Sequence, residues 1–106
     1  MVGNSLINKE RWYKLSYCEQ MGHIGSEIAR ARIWEDKNDW QSRNRALERA
    51  LELIDITKDD SRLYKRRREL CYLHEIVADK YIDAAIYNTS LKDLEKYCLD
   101  FCFSSQ

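Results

Sequence analysis

The sequence predicts an all-α fold, an up-and-down four-helix bundle, and three observations carry that prediction. The 106 residues contain no proline and only three glycines, so long stretches run without a helix breaker. Apolar residues recur at the spacing of a helix face in four successive segments. Polar clusters with capping residues separate those segments. Apolar residues make up 44% of the chain and charged ones 34%, the balance of a globular protein. A chain of this length forms one domain, spanning 1–106, and buries a limited share of its surface.

The first helix is expected from Asn8, an N-cap residue, to Trp34. Trp12, Leu15, Met21, Ile24, Ile28 and Ala31 lie on its apolar side. The polar run 35–39 makes the first connection, and a second helix extends from Trp40 to Ile56, with Leu47, Ala50, Leu51 and Ile54 on one side. Residues 57–61 break the chain again, and Asp60 or Ser61 caps the third helix. That helix is expected from Arg62 to about Tyr87. Its seam of Leu63, Arg67, Leu70, His74, Val77, Tyr81, Ala84 and Asn88 keeps alternate spacings of four and three. Asn88-Thr89-Ser90 ends it, and Ser90 with Asp93 resembles a capping box that opens a short fourth helix to Cys102. Helices one and three are then the long ones, about 40 Å each. The two shorter helices cannot cover them, and the uncovered apolar strip predicts a homo-oligomer or a protein partner.

Gly22, Gly25, Ser26 and Ala29 form a small-residue stripe on helix one. Counting outward from Lys37 sets Ala29 opposite Arg45–Ala46 and Gly25–Ser26 opposite Ala50. Helices one and two are therefore expected to approach closely there, offsetting the roughly 1 kcal/mol that each interior glycine costs a helix. Met21-Gly22, Ile24-Gly25-Ser26-Glu27 and the later Arg45-Ala46-Leu47-Glu48-Arg49-Ala50-Leu51-Glu52-Leu53 also carry a resemblance. The pattern resembles a family of small bacterial all-helical proteins that join an Ile-Gly-Ser-Glu stretch to a downstream Arg-Ala-Leu-Glu-Leu-like helix. The resemblance covers roughly the first 60 residues. It implies the helical fold and brings no activity with it.

The 18 basic and 18 acidic residues cancel, which argues against an overall field directed at DNA, RNA or an anionic membrane. The distribution is uneven. Residues 61–75 hold five basic and two acidic side chains, net +3, and residues 35–60 hold five and eight, net −3. The run Arg62, Lys65, Arg66, Arg67 and Arg68, with Tyr64 and Tyr72 beside it, is the candidate nucleic-acid surface. Cations hold phosphates there, and aromatic rings stack on unpaired bases. Arg30, Arg32, Arg43, Arg45 and Arg49 would widen that patch, whereas pairing with Glu48, Glu52 and Glu69 would consume it.

An arginine trailed several residues later by a histidine, as in Arg66-Arg67-Arg68-Glu69-Leu70-Cys71-Tyr72-Leu73-His74, resembles the motif of HEPN ribonucleases, which are also small helical bundles. That resemblance implies metal-independent acid–base chemistry on an RNA 2′-OH for His74. It implies phosphate stabilisation for Arg67 or Arg68. Arg67 shares the face of His74 but stands about 10 Å away along the axis, and Arg68 points roughly 120° around the helix. A second protomer would have to complete such a site. The small polar residue that comes after the arginine in that family is here Arg68 or Glu69. The competing reading keeps His74 in the bundle seam and the arginines on a solvated face.

Cys18, Cys71, Cys98 and Cys102 are expected as reduced thiols in a cytoplasmic protein, because the N-terminus lacks the pattern of an export signal. Cys71 with His74, and Cys98 with Cys102, each share a helix face, but the expected register and the absence of a CxxC knuckle argue against zinc. No metal and no cofactor is expected, and no apolar run is long enough to span a membrane. Trp34 and Trp40 are placed to stack across the first connection; Tyr97 and Phe101 are assigned to the core, and Phe103 to a partner. The leading expectation is a non-catalytic interaction module, an accessory subunit of a larger complex. In size and helix count it is similar to the small bundle proteins that assist bacterial reverse transcriptases in diversity-generating retroelements. A HEPN-like ribonuclease or toxin is the alternative.

Overall fold

The computed structural model describes residues 8–104, with side chains as far as Phe101, and contains helices and no strand among them. In chain order these are α1 (Lys9–Tyr13), α2 (Tyr17–Asp36), α3 (Trp40–Lys58), a 3₁₀ turn (Ser61–Arg66), α4 (Arg67–Ile82) and α5 (Leu91–Ser104). The expected first helix is thus two. Asn8 caps α1 as predicted, accepting from Arg11 N at 3.2 Å. Ser16 then restarts the chain with a reciprocal capping box. Its Oγ accepts from Glu19 N at 3.1 Å, and its own N–H donates to Glu19 Oε1 at 2.9 Å. The break lets Trp12 turn inward, where its indole N–H donates to Thr57 Oγ1 at 3.0 Å.

The third helix is also shorter than expected. Asp60 does act as a cap, accepting from Arg62 N at 3.0 Å, but residues 61–66 wind as a 3₁₀ turn with Leu63 off helical geometry. At the far end α4 stops at Ile82, and Asp83 takes the left-handed conformation with φ 58°. The cause is Asp79. Its buried carboxylate accepts from Ile86 N at 2.9 Å and Tyr87 N at 3.2 Å, amides that a continuing helix would have used itself. Ala85, at φ 57°, is also left-handed, a conformation costing a non-glycine residue roughly 1–2 kcal/mol. With 20 residues α2 is about 30 Å long, and α4 with 16 about 24 Å. The long helices are therefore α2 and α3, and the expected 40 Å overhang is not formed.

The most extensive packing is between α2 and α3 and between α2 and α5, with α4 laid on α3. Met21, Ile24, Ile28, Leu47, Ile54, Leu70 and Val77 are wholly excluded from water at the centre. The small-residue stripe serves a different neighbour from the one expected. A Cβ built on Gly25 would meet Cys98 Cβ of α5 at 3.0 Å, whereas one on Gly22 meets nothing within 4 Å. Gly25 is what lets α5 lie so close to α2. Ala46 and Ala50, buried on α3, belong to the core without a glycine opposite.

Polar clamps close both ends. At one end Asp60, only 4% exposed, accepts from Gln20 Nε2 at 3.3 Å and from Arg62 Nη2 at 2.6 Å. Arg62 reaches on to Leu15 O at 2.9 Å, and Gln20 Nε2 to Trp12 O at 3.0 Å. At the other end Arg43, 5% exposed, donates to Lys80 O at 2.7 Å and pairs with Glu35 at 3.0 Å. Its guanidinium also covers Trp40, while Lys37 covers Trp34. Each tryptophan therefore takes a cation, in place of the stack expected between them.

These contacts set two expectations for stability. In urea denaturation, Gly22→Ala should hold or raise stability by up to about 1 kcal/mol, since only helix propensity changes. Gly25→Ala should lower it by about 1–3 kcal/mol, because α5 must move to admit the methyl group; equal effects would refute the close approach. For Asp60, the Arg62 guanidinium holds the carboxyl below its ordinary value of 3.8, against the opposing effect of burial. A depressed carboxyl contributes stability that is complete above the unfolded value and is lost as pH falls through the lower folded one. Melting temperature should therefore fall more steeply between about pH 5 and about pH 2 in wild type than in Asp60→Asn.

Candidate functional site

The expected basic run does not form one stripe, because the 3₁₀ turn separates its members. Arg62 is bound to Asp60. Arg66 lies over the rings of Tyr17 (5.3 Å) and Phe101 (5.7 Å) and pairs with Glu69 at 3.6 Å. Arg67 Nε donates to Lys58 O at 3.2 Å, capping a free carbonyl at the end of α3. Lys65 covers Tyr64. Arg68 is exposed and has no hydrogen bond or ion pair among the described residues. The widening arginines are mostly spent. Arg30 and Arg49 hold Glu27, Arg32 holds Glu95, and Arg43 is buried.

His74 is half-buried in the α3–α4 seam, its Nε2 3.3 Å from Asp55 Oδ1, which also pairs with Lys58 at 3.2 Å. Within one copy, His74 and Arg67 thus face separate acceptors, Asp55 and the Lys58 carbonyl. Among the described residues no group of three or more His, Cys, Asp or Glu side chains is arranged to hold a metal ion. Cys18 is disulfide-bonded, which corrects the expectation of four reduced thiols. Cys71 is free and exposed, and Cys98 is free and buried against Gly25. Cys102 and Phe103 lie outside the residues whose side chains are described.

An apolar recess at α4 lies elsewhere than on the basic run. A groove of about 400 Å³ runs between α4 and α5, lined by Tyr72, Leu73, Ile76, Leu94 and Tyr97, with Thr89 and Asp93 at one end. Leu73, Ile76 and Leu94 form its buried floor, and Tyr72 (56% exposed) and Tyr97 (40%) stand at its rims. Tyr87 braces Tyr72 edge-on at 5.9 Å, and its hydroxyl donates to Glu75 at 2.8 Å. Tyr97 meets Phe101 edge-on at 5.2 Å, and Phe101 meets Tyr17 in the same way. Burial pushes the Tyr97 hydroxyl up to about 12, and burial with the Glu69 hydrogen bond raises Tyr17 further. Both rings are neutral at physiological pH, as apolar contact requires. Ile82 and Ile86, 66% and 76% exposed, line a separate recess with His74 and Tyr87 near the end of α4.

Phe101 is half-buried, as expected for a core aromatic, whereas Tyr97 is a rim residue. A single seam through Leu70, His74 and Val77 assigns α4 one neighbour only, and so misses the groove residues. The signal was present. Leu73 and Ile76 lie off that seam, so the apolar arc of α4 is too wide for one neighbour. Comparison with family models, curated proteins and solved structures finds no match to this chain.

The two free cysteines should differ sharply in reactivity. Burial pushes the Cys98 thiol up to about 12, so it is neither accessible nor ionised near neutral pH. Iodoacetamide on the native protein should modify Cys71 and spare Cys98, and both should react in denaturant. Peptide mass mapping reads the difference, and early modification of Cys98 would show that α5 does not hold its place on α2.

Proposed function

We propose that this protein is a non-catalytic interaction module, an accessory subunit built on a four-helix bundle of α2, α3, α4 and α5 with one seam left open. The observation that carries the reading is the α4–α5 groove, an apolar floor between two exposed tyrosines whose rings are held by neighbours. Tyrosines fixed in this way contribute contact area at a small entropic cost, a property of binding surfaces. The exposed apolar surface is read as a protein-binding one. The likeness in size and helix count to reverse-transcriptase accessory bundles fits an accessory role. A nucleic-acid contact within a larger complex would fall to Arg68 and Lys65, the least engaged members of the basic run.

Photo-crosslinking tests the reading. Benzoylphenylalanine in place of Tyr97 should give protein adducts, and the same group in place of Arg45, exposed on α3, should give none. Absence of adducts at position 97 would sink the docking surface. The ribonuclease alternative makes a separate demand. Wild type would have to cleave RNA above background without metal, and His74→Ala and Arg67→Ala would each have to reduce cleavage by about a hundredfold. Indistinguishable rates are the expected outcome.

A further inference from the structure

We infer that the surface of α4 is an isologous interface on which a second copy of this chain docks, antiparallel, about a two-fold axis near Cys71 and Tyr72. The inference rests on the interaction-module reading and names its partner. Arg68, Cys71, Tyr72 and Glu75 keep the spacing i, i+3, i+4, i+7, so they form one stripe along the helix, and all four are exposed. The stripe has a cation at one end, an anion at the other, and an aromatic ring with a small thiol between.

The order of charge is unfavourable within a single copy. Arg68 stands in the first turn of α4, where the helix dipole favours anions. The acidic residue of that turn, Glu69, accepts from the Tyr17 hydroxyl at 2.9 Å and is turned toward α2. Arg68 itself has no counter-ion among the described residues. An antiparallel copy supplies one. Pairing about the midpoint of Cys71 and Tyr72 sets position 68 opposite position 75, so Arg68 of each copy meets Glu75 of the other. A two-fold contact requires a surface that complements itself on reversal, and this stripe does so in charge. A different partner would require no such antisymmetry, which is why a second copy is preferred over an unrelated helix. Tyr72 is both the centre of the stripe and a wall of the α4–α5 groove, so the contact extends onto the apolar surface already described. A stable pair needs roughly 800 Å² on each copy, a small share of the 7023 Å² that one copy exposes.

Sedimentation velocity on the full chain, from micromolar to submillimolar concentration, measures the pairing. Wild type should form dimers. Arg68→Glu and Glu75→Arg should each raise the dissociation constant by about tenfold or more, since each sets like charges opposite one another. The double variant Arg68→Glu/Glu75→Arg restores opposite signs and should return the constant to within about threefold of wild type. Circular dichroism confirms that the variants remain folded. In the wild-type dimer a short bismaleimide should join Cys71 to Cys71, identified by peptide mapping. A wild type that stays monomeric throughout overturns the pairing, and so does a dimer indifferent to both reversals. If a monomer still gives adducts to another protein from position 97, the interaction-module reading stands without self-association. If neither dimer nor adduct forms, both fall together.

Discussion

A carboxylate almost removed from water must be met by donors, and the way Asp60 is met organises one end of the molecule. The guanidinium of Arg62 and the amide of Gln20 both reach it, and the same two side chains hold Leu15 O and Trp12 O. The junction thereby joins the α3–α4 turn to the α1–α2 break, which are far apart in sequence. Leaving a buried charge unpaired costs several kcal/mol, so these donors are not free to leave singly. This turn sets the direction in which α4 departs from α3. That direction in turn decides what the surface of α4 presents.

Arg43 performs the corresponding task at the opposite end, where its hold on Lys80 O ties the last turn of α4 to the start of α3. With both ends of α4 fixed to α3, and α5 drawn onto α2 at Gly25, α4 and α5 are committed to different neighbours. The groove between them is the geometric remainder. It is not a defect of packing, since its floor is buried and its rim tyrosines are braced by Tyr87 and Phe101.

Local signals in the sequence account for much of this. The all-helical class, the cap at Asn8, the connection at 35–39, the cap at Asp60 and the start of α5 at Ser90 depend on residues within one turn of each other. Periodicity fails where a side chain acts across a longer span or where the partner is set by tertiary packing. Ser16 and Glu19 do form a local signal, but the uninterrupted apolar pattern on either side outweighs it. Asp79 ends α4 by binding amides seven and eight residues ahead, which no periodicity registers. The glycine stripe was legible as a close approach, yet its partner depended on whether α3 or α5 covers that face. The groove was legible only in part for the same reason: Leu73 and Ile76 mark a second apolar face on α4, but which helix stands beside it is set by the fold. His74 was recognisable as a seam residue, and its acceptor, Asp55, lies on a helix whose register only the fold supplies.

The contact between Gly25 and Cys98 also constrains how this sequence can change over generations. At 3.0 Å a methyl group at position 25 would crowd the Cys98 Cβ and require α5 to give by a few tenths of an ångström, so the two sites are not independent characters. A lineage that enlarges position 25 shifts α5 slightly away from α2, unless position 98 has already lost its side chain. The order of the two steps is therefore not interchangeable. One path passes through a cavity and the other through an overpacked contact, and each has its own cost. The two orders of change meet different intermediates, a cavity at 98 or a displaced α5, and the Gly25 contact couples the positions through either.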